Sequence, residues 1–210
     1  MKNSAMKRLA AMPAKTIRTG AALLLATALA GCISLGGGKP PAFLLTLSAA
    51  QPVEAGTMAQ GTSASMIVVM EPETSQKLSV VRVPVQVDDT RVAYLVGATW
   101  VERPTKLLRG LIAETLRTRT TTLVLEDSQS LAAGGERLAG QLVDMGYDAR
   151  TGSVVVRFDA LRTLADGTVQ SKRFESVVPG IAAKPEFVGP AINRAANDVA
   201  RQVADWMLGK

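Results

Sequence analysis

The sequence predicts a layered α/β domain, with a mixed, mainly antiparallel sheet of about five strands and two main helices. Three observations predict it. Short apolar or alternating runs bounded by turn residues recur between Ala42 and Val178, which is strand patterning. Two longer segments, one starting at Arg103 and one ending at Leu208, change to a helical period. Aromatic side chains make up only 4% of the 210 residues, so the core falls to Val, Leu, Ile and Ala, as in many α/β sandwiches.

Ala42 to Leu47 is a short apolar run that predicts a first strand, and Gln51 to Ser65, rich in Gly, Thr, Ala and Ser, predicts a loop. Met66 to Met70 is continuously apolar, as a strand buried on both faces would be. Ser79 to Val87 alternates Val81, Val83, Val85 and Val87 against Arg82, Pro84 and Gln86. Across Asp88-Asp89 it predicts a hairpin with Arg91 to Trp100. Pro84 cannot donate to a ladder, which predicts an edge position for its strand.

From Arg103, residues Leu107, Leu108, Leu111, Ile112, Thr115 and Leu116 share one helical face, with Pro104 in the first turn. The helix leads to a strand at Thr121 to Leu125, which predicts a parallel pair with 66–70 joined by a right-handed crossover. An antiparallel meander follows. Ala139, Val143, Met145 and Tyr147 are predicted on one face of its first strand, and Val154, Val156, Phe158 and Ala160 on one face of the second. Thr168 to Val178 is the third, with Phe174 and Val178 together. Thr151-Gly152 and Asp166-Gly167 are the connections, the latter read as a type I′ turn. The last helix runs from about Glu186 or Pro190 to Leu208 on a stripe from Ile192 to Trp206 and Met207, with Gly209 beyond its end.

The net charge of +6 is concentrated at the front. Lys2, Lys7, Arg8, Lys15 and Arg18 stand in residues 1–31 without an acid, leaving 19 basic against 18 acidic residues in the remainder. The excess therefore belongs to a leader, and a nucleic-acid surface is not indicated. Gly20 to Ala30 is an apolar run of secretory h-region length, about half of what spans a bilayer. Leu29-Ala30-Gly31-Cys32 ends it in the pattern of a bacterial lipobox. This predicts a lipoprotein signal peptide over 1–31, cleavage between Gly31 and Cys32, and acylation of Cys32. Two or more acyl chains of the palmitate kind give stable anchoring, at about 0.8 kcal/mol per buried methylene. Residues 32–41, lipidated cysteine plus Gly/Pro tether, lead to a periplasmic domain over 42–210. Ile33 after the cysteine, where an inner-membrane retention signal would place Asp, favours the periplasmic face of the outer membrane.

Chemistry is limited by what the chain lacks. It has no histidine and a single cysteine, which excludes Ser-His-Asp and Cys-His catalytic units, His-ligated zinc and an intrachain disulfide. Gly36-Gly37-Gly38 lacks the Lys-Ser/Thr of a phosphate loop. Glu71 with Glu73, Asp88 with Asp89, and Glu126 with Asp127 are candidate acid/base pairs, but each ends a predicted strand and reads as solvated turn chemistry. A Ser-Lys dyad remains open by spacing alone. Arg103, Arg109, Arg117 and Arg119 on the first helix could meet phosphate head groups, and solubility is the favoured reading. Tyr94 and Trp100 read as core packing. No catalytic, metal or cofactor-binding residue is assigned, and the protein is expected not to be an enzyme.

The order of pieces carries one further reading. The lipobox, the Ile-Val-Val strand, Tyr94, Trp100 and Pro104 before a Leu-rich helix, Tyr147-Asp148-Ala149-Arg150, Arg173-Phe174-Glu175 and the closing Ala204-Asp205-Trp206 resemble the ABC-type transport auxiliary lipoproteins, the PqiC-like family. The resemblance implies a fold like anticodon-binding-like and Tol-associated domains. It implies partners as well: an MCE-domain protein and an ABC permease with its ATPase, in lipid traffic between inner and outer membranes, with homo-oligomers a further expectation. The alternative is another envelope lipoprotein, assisting cell-wall assembly or carrying lipid directly. The family supplies no established catalytic residue.

Overall fold

The computed structural model describes residues 43–62, 64–126 and 135–210. Gly31, Cys32 and Asp127 lie outside them. In chain order the elements are β1 (Ile67–Val69), β2 (Glu73–Thr74), a single 3-10 turn (Gln76–Leu78), β3 (Arg82–Gln86), β4 (Val92–Thr99), α1 (Pro104–Arg117), β5 (Val124–Glu126), β6 (Glu136–Asp148), β7 (Ser153–Thr163), β8 (Val169–Val178) and α2 (Pro185–Leu208).

The eight strands of the described residues join one mixed sheet. Most of its paired residues are antiparallel, in the β3–β4, β6–β7 and β7–β8 ladders. Five strands carry the length; β1, β2 and β5 are pieces of two or three residues. The 13-residue β6 is the axis. Its first residues pair with β1, its middle with β2 and its end with β3, all parallel and all on one edge, while β7 occupies the other edge. The predicted parallel pair forms, with Ile67 opposite Val124 and α1 between the two strands in sequence.

Both helices pack on one face of the sheet. Leu138, Leu142, Met145, Val154, Val156, Phe158 and Phe174 enter the core from the strands, and Leu108, Ile112, Leu116, Ile192, Val199 and Val203 from the helices. Burying one such side chain stabilises the fold by about 1.5–3 kcal/mol before its entropy cost. α2 ends as predicted: Gly209 is left-handed, and the Lys210 N–H closes on the Asp205 carbonyl at 2.9 Å.

Several expectations are corrected. Ala42 lies outside the described residues, and within 43–47 the described chain makes one bridge, Leu45 opposite Trp100, with hydrogen bonds of 2.8 Å from Leu45 N–H to Thr99 and from Val101 N–H to Leu45. Pro84 is in an inner strand, flanked by β4 and β6. It is tolerated there because the β6 pairing begins only at Val85 and the β4 ladder is irregular between Arg82 and Pro84. In β6 the buried face is Leu138, Leu142, Met145 and Tyr147, not one shared with Ala139 and Val143. The register shifts between Leu142 and Asp144, so Val143 is an extra residue that resets the alternation. The Asp166-Gly167 turn is a three-residue loop and not type I′. Leu164 N–H bonds the Thr168 carbonyl at 2.9 Å, Gly167 N–H returns to the Leu164 carbonyl at 3.0 Å, and Gly167 alone needs the positive φ, +85°. Trp206 is only half-buried; Met207 is the buried end of the stripe.

Candidate functional site: the uncovered sheet face

The face of the sheet opposite the helices carries charge in register. Because Val143 is a bulge, Asp144 of β6 stands directly across from Arg157 of β7, which stands across from Glu175 of β8. Arg157 bonds both carboxylates, with Nε 2.5 Å from Glu175. Asp144 also accepts from Lys77 Nζ at 2.6 Å, supplied by the 3-10 turn. One rung further along, Arg173 makes a two-pronged pair with Asp159 at 2.5 and 2.6 Å. Opposite charges directly across a sheet contribute roughly 0.2–1 kcal/mol each, so their larger effect is to fix side-chain positions.

The row leads into an open groove of about 300 Å³. Pro84, Gly146 and Val155 form its floor, and Lys77, Asp148 and Arg150 stand among its walls. Arg150 holds Asp148 through two nitrogens at 2.9 and 2.7 Å and reaches Asp89 on the neighbouring turn at 2.5 Å. The Arg150 hydrogen bond keeps the Asp148 carboxyl below its ordinary range, and the Arg173 hydrogen bond does the same for Asp159. Arg150 is pushed higher still by Asp148 and Asp89. Carboxylates held this firmly ionised are weak bases and no acids at neutral pH. Within the groove the Asp148 carboxylate is thus held ionised, and the lining carries charge of both signs.

The residues singled out in the sequence are elsewhere. Glu71 lies just after β1 and Glu126 is the last residue of β5, and Arg109 ties them together from α1, with Nη1 3.5 Å from Glu71 and Nε 3.0 Å from Glu126. Arg109 is 8% exposed, so it is neither a solubilising charge nor a headgroup ligand. Arg117 reaches Glu126 at 3.5 Å and Glu114 at 3.7 Å, Arg103 reaches Glu71 at 3.6 Å, and Arg119 reaches Asp205 of α2 at 2.5 Å. Arg109, Arg117 and Arg119 are thus tied within the fold, while Arg103, just before α1, keeps a mostly exposed side chain. Glu73 is exposed, apart from Glu71's cluster, and Asp88 caps its own turn, accepting from Thr90 and Arg91 N–H at 3.0 and 2.9 Å. Backbone donation from Thr90 lowers its pKa first.

Trp100 is buried, as expected, and its indole N–H finds no acceptor among the described residues. Tyr94 lies under the Arg82 guanidinium, 3.9 Å from the ring centre. The row on the open face was missed by motif reading because none of its members forms a local pattern. Its only signal was charge at alternate positions of β7 and β8, Arg157 and Asp159 beside Arg173 and Glu175.

No family model matches the chain, and no curated protein does either. Solved structures share the fold. A Xanthomonas campestris protein under the DUF330 family model superposes with a TM-score of 0.64 at 16% identity, over 79% of this chain and 94% of that one. The crystal structure of an uncharacterised protein gives 0.60 at 13% identity, over 72% and 96%. At these identities the likeness is one of architecture. Among the described residues no helix is long and apolar enough to cross a membrane.

Proposed function

We propose that this protein is an outer-membrane lipoprotein that serves as a non-catalytic adaptor for an ABC/MCE-type lipid transport system, anchored by acylated Cys32 on the periplasmic face. One observation carries this reading. A lipobox at Leu29 to Cys32 precedes a domain with the architecture of a DUF330 protein, and DUF330 corresponds to the PqiC-like family that the order of sequence pieces resembles. The charged row Lys77-Asp144-Arg157-Glu175 supports it as a surface suited to a polar protein partner.

Photo-crosslinking in intact cells, from residues placed along β7 and β8 on the uncovered face, tests the reading. Recovery of an MCE-domain protein or its permease is expected, together with an outer membrane more permeable to detergent when the gene is deleted. Recovery of a cell-wall synthase instead, with an intact barrier on deletion, would replace transport by cell-wall assembly. Stoichiometric lipid in the purified domain would make it a carrier.

A further inference from the structure

The described chain begins among exposed apolar side chains. Phe43 is 48% and Leu44 52% exposed, and Leu45 beside them bridges Trp100, whose neighbour Val101 is 50% exposed. Val96, just before this pairing in β4, is 89% exposed. All belong to one end of the domain. Leu45 lies against Gly189 in the first turns of α2, where a Cβ would come within 2.7 Å of its side chain. Gly97 lies beside Pro185, the first residue of the same helix, with Phe187 close by and 51% exposed. Scattered apolar residues need no explanation, but here they gather around one chain entry.

We propose that this end of the domain, Phe43, Leu44, Val96 and Val101, is a membrane-docking surface that rests in the interface of the bilayer holding the anchor. The proposal rests on the lipoprotein reading given above. Its occupant follows from the length of chain between the anchor and the patch. About 11 residues separate Cys32 from Phe43, at most roughly 40 Å when fully extended and about 20 Å on average for a flexible chain. The residues nearest the tether's entry are thus confined near the bilayer whatever the rest of the domain does. Apolar side chains held there gain by insertion into the headgroup and acyl boundary. A short tether supplies the proximity, and the patch sets which end faces the membrane.

The test uses the full-length acylated protein in phosphatidylethanolamine–phosphatidylglycerol vesicles with brominated acyl chains, which quench tryptophan fluorescence at the acyl boundary. Val96→Trp is the reporter and Val169→Trp the control. Val169 pairs with Thr163, next to Arg162, which bonds the Trp206 carbonyl near the far end of α2. A 24-residue helix is about 36 Å long, so reporter and control lie at opposite ends. Quenching of the added tryptophan at 96 by about twofold or more, with none at 169, is the expected result for insertion of roughly 5–10 Å. Phe43→Asp with Leu44→Asp should reduce the quenching at 96 while the protein still floats with the vesicles. Equal quenching at both sites in a floating, acylated protein overturns the docking surface and leaves the anchor standing. A protein without acyl mass that fails to float overturns both. Disulfide-linked dimers of Val96→Cys on vesicles, without quenching at 96, would assign the patch to a second copy and overturn the proposal.

Discussion

Gly146 of β6 passes so close to Pro84 of β3 that a Cβ on the glycine would lie 2.4 Å from the proline carbonyl oxygen and 2.9 Å from its ring. Two residues that separately look like breakers of a strand thus make a close crossing of β3 and β6 possible, and both line the charged groove. Gly146→Ala should push β3 away from β6 and destabilise the domain by about 1–3 kcal/mol, as overpacking does. Chemical denaturation would show it as a lower midpoint with an unchanged slope. An unaltered midpoint would mean that β3 has room to move.

Arg109 should behave as a structural residue. Arg109→Ala leaves Glu71 and Glu126 facing each other at the ends of β1 and β5, each still about a quarter or less exposed. Removing one partner of a buried pair costs about 3–5 kcal/mol, and partial access of water to the glutamates puts this site near the lower figure. Arg109→Met with Glu71→Gln and Glu126→Gln should recover much of the loss, as measured by thermal melting.

Stability should fall in acid through the open-face pairs. Asp148 and Asp159 are depressed by Arg150 and Arg173, so the stability they add is present above the unfolded carboxyl value of about 3.9 and is lost as the pH drops through it toward their folded values. A series of denaturation midpoints between neutral pH and pH 2 measures this. Arg150→Gln with Arg173→Gln should flatten the decline, and a parallel decline would put the acid sensitivity elsewhere.

Trp206→Ala should cost about 2 kcal/mol, less than the 3–5 kcal/mol of a fully buried aromatic, because the ring is half-buried between Phe174, 5.6 Å away centre to centre, and Arg162 at 6.0 Å. Met207→Ala, at a position 2% exposed, should cost at least as much despite the smaller side chain. Paired denaturation curves of the two variants decide the order.

Cys32→Ala should abolish acylation and leave unprocessed precursor, since cleavage before residue 32 and thioether formation both use that thiol. Intact mass of the membrane fraction is the measurement. An identical lipid mass on parent and variant would remove the anchor from the argument.

What could be read in the sequence was what is periodic and local. Leu108, Ile112 and Leu116 placed α1, the Val154 to Ala160 alternation placed β7, and Pro104 and Gly209 marked helix ends, because each is dictated by geometry within a few residues. What could not be read depends on partners distant in the chain. Pro84 looked like an edge residue because nothing in its own strand tells of β6 on the other side. Arg109 looked solvent-facing because its two glutamates belong to separate strands. A single extra residue, Val143, moved Asp144 to the outer face, and with it the whole Lys77-to-Glu175 row, and bulges have no strong one-residue signature.

The shared edge of β6 also bears on the order in which the protein can fold. Ile67 waits for Glu136, about 70 residues later, and Val85 for Tyr147, so β1, β2 and β3 have no common partner until the last third of the chain is available. The β6–β7–β8 meander, by contrast, closes through turns of a few residues and can form on its own timescale. A chain delivered amino end first therefore stays without its sheet until late in delivery. Until then β1, β2 and β3 lack the strand that joins them, and their unpaired edges are open to wrong pairing.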